Sequence, residues 1–138
     1  MTAIAVTAAQ VGLVDPMKAD VRSYIATETI TKGQAVYILT TGKVGIADAN
    51  ASGKQQFRGI ALNGGGAGQA IDVCHAGEVY GFTLSGNADT RAYLSDTAGE
   101  LADAAGTMTV RVGRVVCLTD KSLTKVLRIF TQWDADWA

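Results

Sequence analysis

The apolar residues of this chain occur in short runs, separated by clusters of glycine, asparagine, aspartate, serine and threonine. Apolar or alternating runs of about four to eight residues between such turn residues are typical of β-strands. The pattern predicts strands at residues 21–30, 34–40, 44–47, 58–62, 70–76, 78–82, 91–95, 98–102, 112–116 and 126–129. We therefore expect an all-β fold.

The same pattern occurs twice along the chain. Tyr37 and Tyr93 are 56 residues apart, and Gly59 and Gly113 are 54 residues apart. A nearly constant offset indicates an internal repeat, and two units are too few for a solenoid. We expect a compact barrel or sandwich of two similar β-units. The predicted boundaries are 1–25 for an N-terminal arm and lead-in strand, 26–130 for a β-domain with pseudo-repeats at about 32–82 and 88–130, and 131–138 for a C-terminal tail.

A glycine-rich loop, Asn-Gly-Gly-Gly-Ala-Gly, occupies residues 63–68. A P-loop needs a lysine after its last glycine, and no lysine follows Gly68. A dinucleotide-binding loop must be followed by a helix, whereas Ile71 and Val73 indicate a strand. We interpret the loop as a hairpin turn that connects two strands on the surface.

Both ends of the chain carry hydrophobic residues outside the predicted repeats. Residues 1–13 are β-prone and precede the single proline, so we expect an extended arm that pairs either with a neighbouring subunit or with its own sheet. Residues 131–138 hold both tryptophans, which predicts a docking tail or packing across the chain's own barrel end. The predicted contacts with neighbouring protein subunits are Ile4, Val6, Val11, Leu13, Trp133 and Trp137.

Composition argues against several classes of partner. The 138 residues carry a formal charge of −1, and neither the 12 basic nor the 13 acidic residues form a run, so we expect no nucleic-acid binding. The sequence contains no run of about 18 apolar residues, which a membrane helix would need. Its N-terminal residues lack the basic region of a secretory signal. We expect a soluble protein with free thiols, made in a reducing cytoplasm.

Residues with catalytic chemistry are few. The chain has one histidine and two cysteines, which is too few for a zinc cage, and we expect no cofactor. Asp72, Cys74 and His75 form the one candidate nucleophilic cluster. Neighbours in a strand point to opposite faces unless the strand is bulged, so we predict a strand cysteine beside a solvated histidine. We expect no enzyme, and a hydrolase that uses this cluster is the alternative.

A series of segments carries a resemblance to a known family. These segments are 30–37 (ITKGQAVY), 42–44 (GKV), 57–62 (FRGIAL), 66–73 (GAGQAIDV), 77–81 (GEVYG), 112–116 (VGRVV) and 125–129 (KVLRI). In this order they resemble the capsid cement, or head decoration, proteins of tailed bacteriophages. The resemblance extends over about residues 26–129 and consists of turn glycines and apolar strand residues.

The resemblance implies a small β-rich protein on the outer surface of the expanded phage head, made in the host bacterial cytoplasm. Such proteins bridge major capsid protein subunits, commonly as homotrimers at three-fold and quasi-three-fold positions. The family assigns no catalytic residue, and the tryptophan tail lies outside the matching part. The alternative is a small-ligand or carbohydrate-binding β-module on a virion or cell surface, with an aromatic platform around Tyr80, Phe82 or Tyr93.

Overall fold

The computed structural model describes residues 3–131, in which all regular structure is β-strand apart from two short 3₁₀ turns, Ala8–Gln10 and Pro16–Lys18. The strands join in one sheet that curls into a half-barrel, which confirms the all-β prediction. They are β1 (Ala3–Ile4), β2 (Gly12–Leu13), β3 (Asp20–Ile25), β4 (Ala35–Ile38), β5 (Val44–Ile46), β6 (Phe57–Ala61), β7 (Ala70–Tyr80), β8 (Arg91–Leu94), β9 (Leu101–Ala102), β10 (Arg111–Cys117) and β11 (Lys125–Phe130).

Strand β7 connects the two halves of the sheet. It has 11 residues, and both of its edges are hydrogen-bonded. One edge pairs with β3 and then β2, and the other pairs with β6 and then β11, always antiparallel. The prediction of separate strands at 70–76 and 78–82 is therefore wrong. Gly77 lies within the strand with a φ of +141°, which a glycine adopts without strain, so the strand continues through it.

The two units have the same strand order. The first runs β5-β4-β6-β7 and the second runs β9-β8-β10-β11 across the sheet. Each contains a register shift at the corresponding place: Val36 pairs with Gly59 but Tyr37 pairs with Phe57, and Ala92 pairs with Gly113 but Tyr93 pairs with Arg111. Each unit therefore has one extra residue in its third strand, a β-bulge that bends the sheet.

The glycine beside each bulge allows two strands to approach closely. A Cβ on Gly59 would overlap the carbonyl oxygen of Cys74 on β7, and a Cβ on Gly113 would overlap that of Arg128 on β11. A glycine inside a strand is unfavourable unless another backbone approaches it in this way. The two glycines therefore have the same structural role in the two units.

The main core is shared equally by the two units. Among the described residues, each unit supplies seven of its buried side chains. The first unit contributes Ala35, Ala47, Ala49, Phe57, Ile60, Cys74 and Val79, and the second Ala92, Leu94, Leu101, Val110, Val112, Leu127 and Ile129. Because each half of the core needs the other, we expect the units to unfold together.

A second cluster covers the opposite face of the first unit. It contains Ala26, Ile30, Val36, Val44, Ala61, Ile71 and Val73. The chain after β3 closes over this face, and the glycine-rich loop is bonded to it: Ile30 and Gly65 exchange two backbone hydrogen bonds of 2.8 and 2.9 Å, and the Gly68 amide donates to the Ala26 carbonyl. The loop is therefore part of the cover of this cluster.

Substituting the bulge glycines tests the role of close strand approach. We expect Gly59→Ala and Gly113→Ala each to lower the free energy of unfolding by about 2 kcal/mol or more, because the added methyl forces two paired strands apart. Gly12→Ala is the matched control, since no atom lies within 4 Å of its Cβ position. Urea titration followed by circular dichroism measures all three, and equal midpoints would contradict this account.

Candidate functional site

The candidate nucleophilic cluster lies on β7 where this strand is bulged. Asp20 of β3 pairs with Ala76 and Val21 pairs with Cys74, so His75 is an extra residue between the two pairs. His75 is 1% exposed and Cys74 is fully buried. The prediction of a solvated histidine is therefore wrong, because strand β3 covers this part of β7.

His75 contacts the side chains that cover it. Its Nε2 lies 2.9 Å from the Tyr24 hydroxyl oxygen in a hydrogen bond, and the two rings are 5.6 Å apart at an angle of 55°. Burial lowers the pKa of His75; the Asp20 carboxylate opposes this shift, and the positive charges of Arg58 and Arg22 add to it. The imidazole is therefore held neutral at physiological pH.

Cys74 and Asp72 do not form a catalytic pair with this histidine. Burial raises the pKa of the Cys74 thiol to about 11, so the thiol is protonated at neutral pH and is a poor nucleophile. The exposed Asp72 carboxylate accepts a hydrogen bond from the Ser23 hydroxyl at 2.5 Å. His75 is therefore bonded to Tyr24, and Asp72 is bonded to Ser23. Cys74 is buried and protonated, so the three side chains do not form one hydrogen-bonded cluster. Within residues 3–131, no group of three or more His, Cys, Asp or Glu side chains is arranged to hold a metal ion.

The predicted contact residues near the N-terminus pack largely on their own chain. Ile4 pairs with Leu101 and Leu13 pairs with Val79, and both side chains are half-buried against the main core. Val11 is 2% exposed and Val6 is 40% exposed. Residues 3–13 therefore run across both units of their own sheet. Trp133 and Trp137 lie outside the described residues.

The structure assembles a basic surface that sequence reasoning missed. We call it the arginine face; it consists of Arg91, Arg111, Arg114, Arg128 and Phe130. Arg91 of β8 pairs directly with Arg114 of β10, which pairs directly with Arg128 of β11. Directly paired residues share one side of a sheet, so these three side chains form a row across three strands.

This row is on the outer side of the sheet. The neighbours along each strand, Ala92, Val115 and Leu127, are buried in the core, and alternation turns the arginines outward. Sequence reasoning missed the face because its charges are spread over residues 91–128 and form no run. Pairing β8 and β11 with β10 in the correct register would have revealed the row. The register between β8 and β10 depends on the bulge in β10.

Two shallow grooves adjoin at Phe130. One, of about 220 Å³, is lined by Arg91, Arg111, Gly113, Arg114 and Phe130. The other, of about 330 Å³, includes Arg128 and Phe130 together with charged residues of both signs, Asp15, Lys18 and Glu78. The Arg128 guanidinium carbon lies 5.9 Å from the centre of the Phe130 ring. The face therefore combines positive charge with an exposed aromatic ring.

Acidic residues lie near each arginine of the row. Arg114 Nη1 lies 3.2 Å from the exposed Asp89 carboxylate and also donates a hydrogen bond to the Asp89 carbonyl. Glu78 of β7 pairs directly opposite Arg128. At the β8 end of the row, Asp103 lines a pocket together with Arg91.

The three residues named for an aromatic platform, Tyr80, Phe82 and Tyr93, lie at different places in the fold. Tyr80 lies on β7 and Tyr93 on β8, and β10 and β11 separate these strands in the sheet. Tyr80 is 40% exposed, whereas Phe82 is half-buried against the main core. Tyr80 is therefore the one exposed ring of the three, and Phe82 and Tyr93 are half-buried.

Comparisons with models of protein families, with curated proteins and with solved structures find no match to this chain. No helix in residues 3–131 is long and apolar enough to cross a membrane. The fold itself defines the class: an all-β protein of two units that share one sheet and one core.

Thiol reactivity tests the environment of Cys74. At pH 8 we expect an aromatic disulfide reagent to modify the half-buried Cys117 quickly and Cys74 only when the protein opens, because a covered thiol with a raised pKa presents little thiolate. A Cys117→Ala variant isolates the slow reaction, and adding urea should accelerate it. Rapid modification of Cys74 in the folded Cys117→Ala protein would overturn this interpretation.

The pH dependence of stability tests the burial of His75. A histidine whose folded pKa lies below its unfolded value of about 6.5 stabilises the fold fully above that pH, and this contribution is lost as the pH falls through the folded pKa. We expect His75→Gln to weaken the loss of stability between pH 7 and pH 5. Urea titrations at both pH values measure the free energy of unfolding of each protein. If the variant loses as much stability between pH 7 and pH 5 as the original protein, groups other than His75 cause the loss.

Proposed function

We propose that this protein is a phage capsid decoration protein that binds the outer surface of the expanded head as a trimer and bridges major capsid protein subunits. The observation that carries the proposal is the ordered resemblance to capsid cement proteins over about residues 26–129. The all-β fold is compatible with it. So is the covered, protonated state of Cys74, which leaves the candidate nucleophilic cluster without a reactive thiol.

The proposed mechanism is thermodynamic linkage. A protein that binds the expanded lattice and not its precursors or disassembled subunits stabilises that lattice in proportion to its occupancy. Many copies act on one shell, so each contact can be modest while the total stabilisation is large. This mechanism requires surfaces that bind the capsid, and it requires no catalytic group.

The N-terminal segment supplies the first candidate contact. Residues 3–13 run along both units, and Val6, which is 40% exposed, forms an isolated β-bridge with Phe82. Val11, in the same segment, is buried in the core. Deleting residues 1–13 would therefore disturb the fold as well as the contact, and a point substitution is the cleaner probe.

Decoration of empty shells tests the proposal. We expect the purified protein to bind undecorated expanded capsids saturably, with density at three-fold and quasi-three-fold sites in electron micrographs. We expect Val6→Asp to weaken binding about tenfold or more, because a charge would be buried in the contact. Met17→Asp is the matched control, since Met17 is 92% exposed and outside the predicted contacts.

Two results would count against the proposal. Absence of added density at micromolar protein contradicts capsid binding itself. Equal binding by the Val6→Asp and Met17→Asp variants contradicts the contact at residue 6 and leaves capsid binding standing.

A further inference from the structure

We propose that strand β3 pairs edge to edge with β3 of a second copy of this chain, antiparallel and with a two-fold axis at Ser23. One edge of β3 is hydrogen-bonded to β7. No other strand of residues 3–131 pairs with the second edge, and five of the six residues of β3 are exposed. An unpaired strand edge presents backbone donors and acceptors to which another strand can be added.

The hydrogen bonds of β3 show which residues are available at its second edge. Directly after the strand, the Ala26 amide donates a hydrogen bond to the Gln69 carbonyl at 2.9 Å. Along an antiparallel strand, successive residues bond alternately towards one side and towards the other. Counting back from Ala26, the backbone groups of Val21, Ser23 and Ile25 therefore point away from β7.

One register uses all three of these residues. When Ser23 lies opposite Ser23 of the second copy, Val21 of each copy lies opposite Ile25 of the other. Each such pair exchanges two hydrogen bonds, so the contact contains about six. A shift by two residues in either direction places one of the three opposite a residue outside β3.

The same register also matches the apolar side chains. Val21 and Ile25 are 38% and 41% exposed, and cross-strand pairing buries each against the other. Asp72, beside Ser23 on this side of the sheet, would be three strand spacings, about 14 Å, from Asp72 of the second copy. This distance exceeds the screening length of about 8 Å at physiological salt, so the two carboxylates repel each other little.

The charged residue on the other side of β3 favours this register as well. Arg22 would lie opposite Tyr24 of the second copy. A shift by two residues towards the start of the strand would instead place Arg22 opposite Arg22, and like charges directly opposite each other are destabilising. The strand is thus complementary to itself in the register with the most hydrogen bonds, which identifies a second copy as its partner.

The contact is small and goes beyond the proposed capsid function without resting on it. Stable interfaces bury about 1,200–2,000 Å² in total, and a pair of five-residue edges buries less, so we expect reversible association. Association through β3 is measured on the purified protein without capsids. A failure of capsid binding therefore leaves it unaffected, and the reverse also holds.

Disulfide trapping tests both the contact and its register. Opposed residues of a hydrogen-bonded pair have Cα atoms about 5.5 Å apart, which suits a disulfide. In a Cys117→Ala background with oxidised glutathione as the oxidant, we expect Ser23→Cys to form covalent dimers about tenfold faster than Ser52→Cys, an exposed control position. Arg22→Cys should react at the control rate, because the two copies of residue 22 are not opposed. Circular dichroism checks that each variant is folded.

Sedimentation measures the reversible association between about 10 μM and about 1 mM protein. We expect Val21→Lys with Ile25→Lys to abolish the association that occurs through β3, because lysines on an edge strand oppose pairing. The matched control is Met17→Lys with Leu123→Lys, which adds the same charge and replaces two exposed apolar side chains outside β3.

Three outcomes would overturn the inference. The first is a Ser23→Cys protein that is linked no faster than the Ser52→Cys protein, which would mean that no second copy pairs with this edge. The second is faster linking through residue 22 than through residue 23, which contradicts the register. The third is equal association of the two lysine variants, which would assign association to another surface.

Discussion

The hydrogen bonding of β7 on both edges is the constraint on which the rest of the structure depends. This strand belongs to the first unit by sequence, yet residues 76–79 pair with β11 of the second. The pairing places the two units in one curved sheet and encloses a core to which both contribute equally. The N-terminal residues then cover the opposite edge of β7 through β2 and β3, so the longest strand has no exposed edge along most of its length.

Burial of β7 also determines the surroundings of its thiol and imidazole groups. Complete pairing leaves Cys74 without access to solvent, and the bulge at His75 turns the imidazole towards Tyr24. A thiol and an imidazole adjacent in sequence therefore differ in surroundings, and the raised pKa of the thiol and the lowered pKa of the imidazole both result mainly from desolvation. The polar residues with potential to bind a partner lie instead on the outer side of the second unit.

The two units share a strand order but differ in what they present to solvent. In the first unit, the chain after β3 and the glycine-rich loop cover the outer face and enclose a second apolar cluster. In the second unit the corresponding face carries a row of paired arginines, and no other strand of residues 3–131 lies over it. A duplicated framework thus supports one unit with a second apolar cluster on its outer face and one unit with arginines there. The proposed decoration function, which requires surfaces that contact other subunits, is compatible with this division.

The sequence by itself determined the local structure: strand positions, the repeat and its glycines can be read from apolar runs, turn residues and spacing, because these depend on neighbours in the chain. It also showed that the chain has only one histidine and two cysteines. Only the tertiary structure decided that β7 is one strand, that His75 is buried and that Arg91, Arg114 and Arg128 form a row. The reason is register: a single bulge residue such as Val112 shifts every later pair, and no local pattern encodes which residue of a distant strand lies opposite.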